Sequence, residues 1–401
     1  MTRVAQSSRL RVVAASRRQA PTPGGTPGEP AGEDARATDD AEFMVPMRDF
    51  KIVEAPRAHN LNAKTVVARA RICLYAALGL CVLPARAFEP VRGGLERVHD
   101  PSTLTRCDGR YYLFVTGRGI PSMSSADKTN WVAGPPVFST PPSWTTNTIR
   151  GFHGYFWAPD LLRLNGRYYL YYAVSTFGSQ TSAIGLATNP TLDPRNPKYQ
   201  WTDRGLVVQS SPRVNFNAID PSLLRDRRGR LWMSFGSYWS GIKLTELDPK
   251  TGKRLAPDSP IYPLAWHRRI EASYLFYRDG FYYLFVNWGQ CCQGVFSTYN
   301  IRVGRGRAVT GPYLDRTGTD LLDDGGTLFL KSSGRYIGPG HMGILTEGRT
   351  DWFTCHYYDG KDSGRPKLGL GRLAWTADGW PVYTNRDGEN PARSVSPPGQ
   401  K

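Results

Sequence analysis

Leu164–Val174 reads LNGRYYLYYAV. Asn-Gly is a strong hairpin-turn signal, and the aromatic and β-branched residues after it favour a strand. The same unit recurs as CDGRYYLFVTG from Cys107, RRGRLWMSFGS from Arg227 and RDGFYYLFVNW from Arg278, with a weaker SSGRYIGPGH from Ser332. A second short strand precedes each turn, as at Ser102 to Arg106 and Leu161 to Leu164. No helical period of useful length is present. The copies lie about 50 to 60 residues apart, a spacing that suggests a propeller or array. Each period has room for a four-stranded blade. The predicted fold is all-β, a five-bladed β-propeller over residues 88–385. A β-sandwich would not explain so long a period.

The repeat aligns a second feature. A polar residue precedes the first hairpin of each unit: Asp100, Asp160, Asp220, Glu271 and His341. Innermost strands of a propeller stand side by side, so these positions are expected to converge at one end of the central channel. Two of the acids lie in near-copies, VHDPSTLT at Val98–Thr105 and NAIDPSLL at Asn217–Leu224. A single Asp-Pro reads best as a turn cap. Recurrence in register, with a Glu in the same place, points instead to catalysis. Burial and like charge raise some carboxyl pKa values while hydrogen-bond donors lower others. One carboxyl can then act as acid and another as base at a single pH. Glycoside hydrolysis needs such a pair, set roughly 6.5–9.5 Å apart in inverting enzymes to admit a water.

The flanks read differently. Residues 1–66 are expected to be a disordered or mis-started extension, carrying the Pro/Gly-rich PTPGGTPGEPAGE at Pro21–Glu33. Residues 67–87 have the layout of a secretory signal peptide: Arg69 and Arg71, the apolar run Ile72–Leu83, then Ala85-Arg86-Ala87. That run is too short to span a bilayer. Residues 386–401 read as a polar tail. The expected location is secreted, extracellular or periplasmic, with no stable membrane association after processing. The whole chain carries +17, and residues 1–87 hold 13 Lys/Arg and 8 Asp/Glu, which leaves +12 on the remainder. A basic balance suits nucleic acid, an anionic surface or an acidic polysaccharide. No basic cluster is interleaved with aromatics, so nucleic acid is not expected as a partner. The cysteines after residue 87 are Cys107, Cys291, Cys292 and Cys355. Their spacing is no metal framework, and Cys291-Cys292 is either a vicinal disulfide or two thiols.

The segment from about Val98 to Thr384 resembles the glycoside hydrolase family 43 arabinanases. The segments that carry the resemblance are HDPS at His99, WAPD at Trp157, STFGSQTSAIGLATNP at Ser175, NAIDPSLL at Asn217, FGSYWSGIKL at Phe235, IEASYLF at Ile270, CCQGVFSTYNIRVGRG at Cys291 and GPGH at Gly338. The resemblance implies inverting cleavage of α-1,5-linked arabinan by a monomer, with arabinan or arabino-oligosaccharides as partner. By position, Asp100 would be the general base, Glu271 the general acid, and Asp220 the group that orients Glu271 and raises its pKa. Asp160 is read as structural, its carboxylate tying down blade loops. The resemblance also implies an ion, often calcium, held near the axis by His341 and waters, and no organic cofactor. Calcium's preference for oxygen makes a lone imidazole an unusual ligand for it. Trp157 and Phe177 would stack on sugar rings, Gly178 would let a sugar approach the main chain, and Asn217 and Ser237 would bond its hydroxyls. Tyr238 and Trp239 extend the same loop. The alternatives are an exo-acting α-L-arabinofuranosidase or β-xylosidase of the same family and, in another class, a non-catalytic carbohydrate-binding propeller.

Overall fold

The computed structural model describes residues 88–384; the expectations for residues 1–87 and 385–401 lie outside them. Five antiparallel sheets follow one another along the chain as the blades of a propeller. The innermost strands are Thr105–Cys107, Tyr155–Leu164, Ser222–Arg225, Ile270–Arg278 and Tyr336–Glu347 in blades one to five. Blades three to five are plain four-stranded meanders. In blade one Arg92–Gly93 adds a parallel edge strand outside Asn130–Gly134, and in blade two Gly117–Arg118 pairs with the start of the innermost strand. Among the described residues, helix is confined to Ser143–Thr148 and two 3₁₀ turns.

Both faces of every blade are covered, so the second strand Arg167–Val174 is buried from Tyr168 to Val174 and cannot alternate with polar residues. Its turn, Asn165-Gly166, has φ of 51° and 73°, as do the equivalent Asp108-Gly109 and Asp279-Gly280 in kind. These are the left-handed pairs that a two-residue hairpin needs. The fifth repeat is misplaced by the sequence reading. SSGRYIGPGH leads into the first strand of blade five, and the hairpin itself turns at Gly348, between Tyr336–Glu347 and Thr350–Asp359.

The core divides in the same way. Separate clusters of buried side chains fill each blade interface, with Phe114 and Tyr172 between blades one and two and Phe285 and Phe353 between four and five. Leu104 and Leu113 of blade one meet Leu368 and Leu370 of blade five and close the ring. The chain before blade one reinforces this closure. Phe88 stacks on Tyr357 and Tyr383 of blade five, and Glu89 N–H donates to the Leu370 carbonyl at 2.7 Å.

At the channel end where the innermost strands begin, each blade breaks its extended run with one non-glycine residue in the left-handed region. These are Asp100, Ala158, Asp220, Ala272 and His341, at φ 47°, 44°, 57°, 52° and 56°. In blades two, four and five the break coincides with a register shift: Trp157 to Asp160, Glu271 to Tyr274 and Gly340 to Gly343. A bulge bends a strand and re-aims its side chains, and each left-handed residue costs roughly 1–2 kcal/mol.

This frame corrects one alignment. Asp100, Asp220 and His341 are equivalent, but Glu271 lies one residue before the left-handed position and Asp160 two after it. Asp160 is buried and turned into the protein. Its Oδ1 accepts from Thr103 N–H at 3.0 Å and its Oδ2 from Leu223 N–H at 2.9 Å, so one carboxylate ties blade two to blades one and three. Asp160→Ala would leave two buried donors unpaired, at a total of about 2–4 kcal/mol. Chemical denaturation should show that loss; a change under about 0.5 kcal/mol, the scatter of ordinary surface substitutions, would contradict the role.

Candidate active site

The channel end opens into a cavity of about 980 Å³ whose walls include Asp100, Asp220, Glu271 and His341, one from each of blades one, three, four and five. Blade two contributes Trp157 and Phe177. Four of the five converging positions of the sequence reading therefore meet, and Asp160 does not.

Asp100 is the most heavily bonded. Its Oδ2 accepts from Thr116 Oγ1 at 2.6 Å and lies 2.8 Å from His99 Nδ1. Its Oδ1 has His341 Nδ1 at 3.5 Å and His356 Nδ1 at 3.4 Å. Burial pushes this carboxyl up, but His99 and the other imidazoles outweigh burial and hold it well below the usual carboxylate range. Burial also lowers His341 and His356, so both rings are neutral at pH 7. There the bonds from His99 and Thr116 carry the effect.

Glu271 is held the other way. Burial pushes its carboxyl up, Ser237 and Tyr299 pull it down, and the charge of Asp100 pushes it up again. Ser237 Oγ donates to Oε2 at 2.6 Å and the Tyr299 hydroxyl bonds Oε1. Asp220 is raised well above its ordinary value by burial, then by the charges of Glu271 and Asp100, against the pull of the Ala272 N–H, which it accepts at 3.1 Å. Both carboxyls are therefore pushed up. Burial leads the rise of Glu271, and the charge that adds to it is that of Asp100, not the expected one of Asp220. Because Asp220 grips the peptide next to Glu271, it fixes where that side chain starts.

The remaining expected residues divide. Trp157 is half-buried and Phe177 is 86 % exposed on the cavity wall, beside Tyr155, which the sequence reading missed. Gly178 has φ +75° and open space around its Cα, so the turn itself requires glycine. Asn217 is buried and takes a 3.5 Å contact from Ser210 Oγ; it is not a cavity wall. Ser237 is also buried and bonds Glu271 rather than facing the cavity. Tyr238 stands close enough to Glu271 for that charge, after burial, to raise its hydroxyl pKa. Trp239 is 43 % exposed but is not among the cavity's walls, its carbonyl accepting from Trp266 Nε1 at 3.3 Å.

Thr116, Tyr299, His356 and Tyr358 were not legible beforehand. Tyr299 is one of 21 tyrosines in the chain. Its signal lay in a neighbour: a Cβ at Gly340 would come within 2.4 Å of the Tyr299 ring, so the glycine of GPGH makes room for it.

The donors for an ion are nitrogen-rich. Among the described residues the grouping with metal-ligand spacing is His99, Asp100 and His356. His356 Nδ1 already accepts from Asp100 N–H at 3.1 Å, and its Nε2 is buried without a partner. One carboxylate and imidazoles do not fit calcium, which takes six to eight oxygens. Water would have to supply most of them.

One carboxyl held low and two pushed up, facing one cavity at the mouth of an all-β propeller, are the arrangement that acid–base glycoside hydrolysis requires. The chain belongs to the glycosyl hydrolases family 43, whose model matches residues 93–381. It is similar to the extracellular exo-α-(1→5)-L-arabinofuranosidase ArbA of Cellvibrio japonicus, 41% identical over 309 residues, 72% of this chain and 87% of that one. It is 42% identical over 296 residues to the extracellular endo-α-(1→5)-L-arabinanase 1 of Bacillus subtilis, covering 72% and 88% of the two chains. The solved Cellvibrio cellulosa α-L-arabinanase in complex with arabinohexaose has TM-score 0.69 and 40% identity, over 72% of this chain and 95% of that one.

The two donors on Glu271 favour its ionised form. Ser237→Ala removes one, so the Glu271 pKa should rise and the acid should stay protonated to higher pH. The alkaline limb of the kcat/KM profile is expected to move upward; a downward shift would contradict the assignment.

Proposed function

We propose that this protein is an inverting, endo-acting α-1,5-L-arabinanase that works outside the cell. The observation that carries the reading is the opposed setting of two carboxyls in one cavity: Asp100 kept ionised by His99 and Thr116, and Glu271 pushed toward its protonated form by burial. Asp100 takes a proton from water as the water oxygen bonds the anomeric carbon. Glu271 gives its proton to the departing O5 as the glycosidic bond breaks. Attack and departure on opposite faces invert the anomeric centre. The two groups stand on blades one and four, which are not neighbours in the ring, leaving the space that a water between them needs. Asp220 holds the peptide beside Glu271 and shares the burden of its proton.

Arabinan as substrate is supported by the relatives, which are named for α-(1→5)-L-arabinan linkages, and by the arabinohexaose bound to one of them. Both bacterial relatives are named extracellular, in keeping with secretion. Exo action is the second reading, favoured by the 41% identity to an exo enzyme beside 42% to an endo enzyme. The protein is proposed to act as a monomer.

Two experiments test this. Linear arabinan should yield short oligosaccharides first; release of monosaccharide alone would replace the endo reading by the exo one. Glu271→Gln should cut arabinan turnover by roughly 10²–10⁴-fold. It should cost far less on an aryl arabinofuranoside, whose leaving group departs without protonation, whereas Asp100→Asn should suppress both substrates. Equal losses on both for Glu271→Gln would remove it as the acid.

A further inference from the structure

We propose that Tyr358 and the Cys291–Cys292 disulfide are positioning residues for the base, acting through His99. The inference rests on the reading of Asp100 as base.

Asp100 Oδ2 takes two hydrogen bonds, and each donor needs its proton on a particular atom. Thr116 Oγ1 accepts from Ala158 N–H at 2.8 Å, which leaves its own proton for Asp100. A neutral His99 donates from Nδ1 only in the tautomer that leaves Nε2 as an acceptor. That Nε2 lies 2.7 Å from the Tyr358 hydroxyl. A phenol can donate or accept, but Cys292 N–H already points at this oxygen from 2.6 Å. With Cys292 N–H on that oxygen and an unprotonated Nε2 facing it, the phenol proton is directed to His99. The chain runs Cys292 N–H to Tyr358 oxygen, Tyr358 O–H to His99 Nε2, and His99 Nδ1–H to Asp100. A backbone N–H on the cavity wall thus selects the imidazole tautomer beside the base, the role a buried hydrogen-bond partner plays for many catalytic histidines. The other tautomer would set a nitrogen lone pair against the carboxylate. His356 stacks on the His99 ring at 4.0 Å, inclined by 20°, and keeps it in plane.

The disulfide fixes the far end. Bonding adjacent cysteines closes a small ring around one peptide unit and leaves its backbone few conformations. Cys292 sits at φ +66°, where a free cysteine is seldom found. That conformation directs its N–H to Tyr358. Both cysteines line the cavity, and Cys292 Sγ is 3.8 Å from His99 Nε2. A wall of sulfur beside a sugar could instead serve binding alone, and the two roles differ in what they change: positioning acts on kcat, binding on KM.

The test compares wild type, Tyr358→Phe, the double variant Cys291→Ala/Cys292→Ala and their combination, by kcat and KM on linear arabinan and by thermal melting. Tyr358→Phe should lower kcat about 10- to 100-fold with KM little changed. The cysteine variant should lower kcat in the same sense but less. Links in series are not additive, so the combination should be no worse than Tyr358→Phe alone. Unchanged kcat in folded variants, a rise in KM alone, or losses that multiply would each overturn the inference. If Tyr358→Phe fails to fold, the cysteine variant decides by the same split of kcat from KM. Wild-type activity on arabinan is the separate check: its absence removes the functional reading and this inference with it, while an active wild type with unaltered variants removes the inference alone.

Discussion

The left-handed break at the head of each innermost strand is the constraint on which the site depends. An unbroken strand would alternate its side chains between the two faces of its own blade, into the packed interfaces on either side. The break at Asp100, Asp220 and His341, and the bulges beginning at Trp157 and Glu271, turn side chains to the channel mouth instead. The backbone energy spent at five such positions is recovered in the aromatic and aliphatic interfaces that surround them. Much of the polar chemistry is also anchored there. Ala272 N–H holds Asp220, Ala158 N–H orients Thr116, and His341 N–H donates to Asn287 Oδ1 at 3.0 Å.

From that geometry the electrostatics follow. Five blades converge on a narrow end, so four of the converging residues are buried together and cannot all carry charge. What separates their behaviour is the company each keeps. Asp100 faces an imidazole, His99, and a hydroxyl, Thr116, that donate to it. Glu271 takes its two bonds from hydroxyls and Asp220 one from a backbone N–H, with burial and neighbouring negative charge against both. The same burial that raises one pair is overridden at the third carboxyl, and the acid–base division of labour comes from that difference.

The repeat made the fold legible, because hairpin turns and doubly buried strands leave local marks: Asn165-Gly166 and the run after it are readable one residue at a time. The fifth blade is misplaced because its turn, Glu347-Gly348-Arg349, lacks the Asp or Asn found in three of the other four, while Ser333-Gly334 lies close by. The acids were found for the same reason as the turns: they recur. Their exact register was not, since a bulge shifts position by one or two residues without any marker in the sequence. Asp160 and Glu271 look aligned as letters and diverge as side chains. Donors that act on other side chains do not recur from blade to blade and so have no pattern of their own. Ser237 resembled a sugar ligand and is a buried donor to Glu271, while Tyr299 and Tyr358 were two tyrosines among many until the fold brought them beside Glu271 and His99.

The central claim is that Asp100 activates water on the face opposite the departing group. The stereochemistry of the product reports this directly. Proton NMR of arabino-oligosaccharide hydrolysis, read at the first time points before mutarotation, should show the new reducing end in the β-configuration. First appearance of the α-anomer would mean retention through a covalent intermediate and would contradict the account.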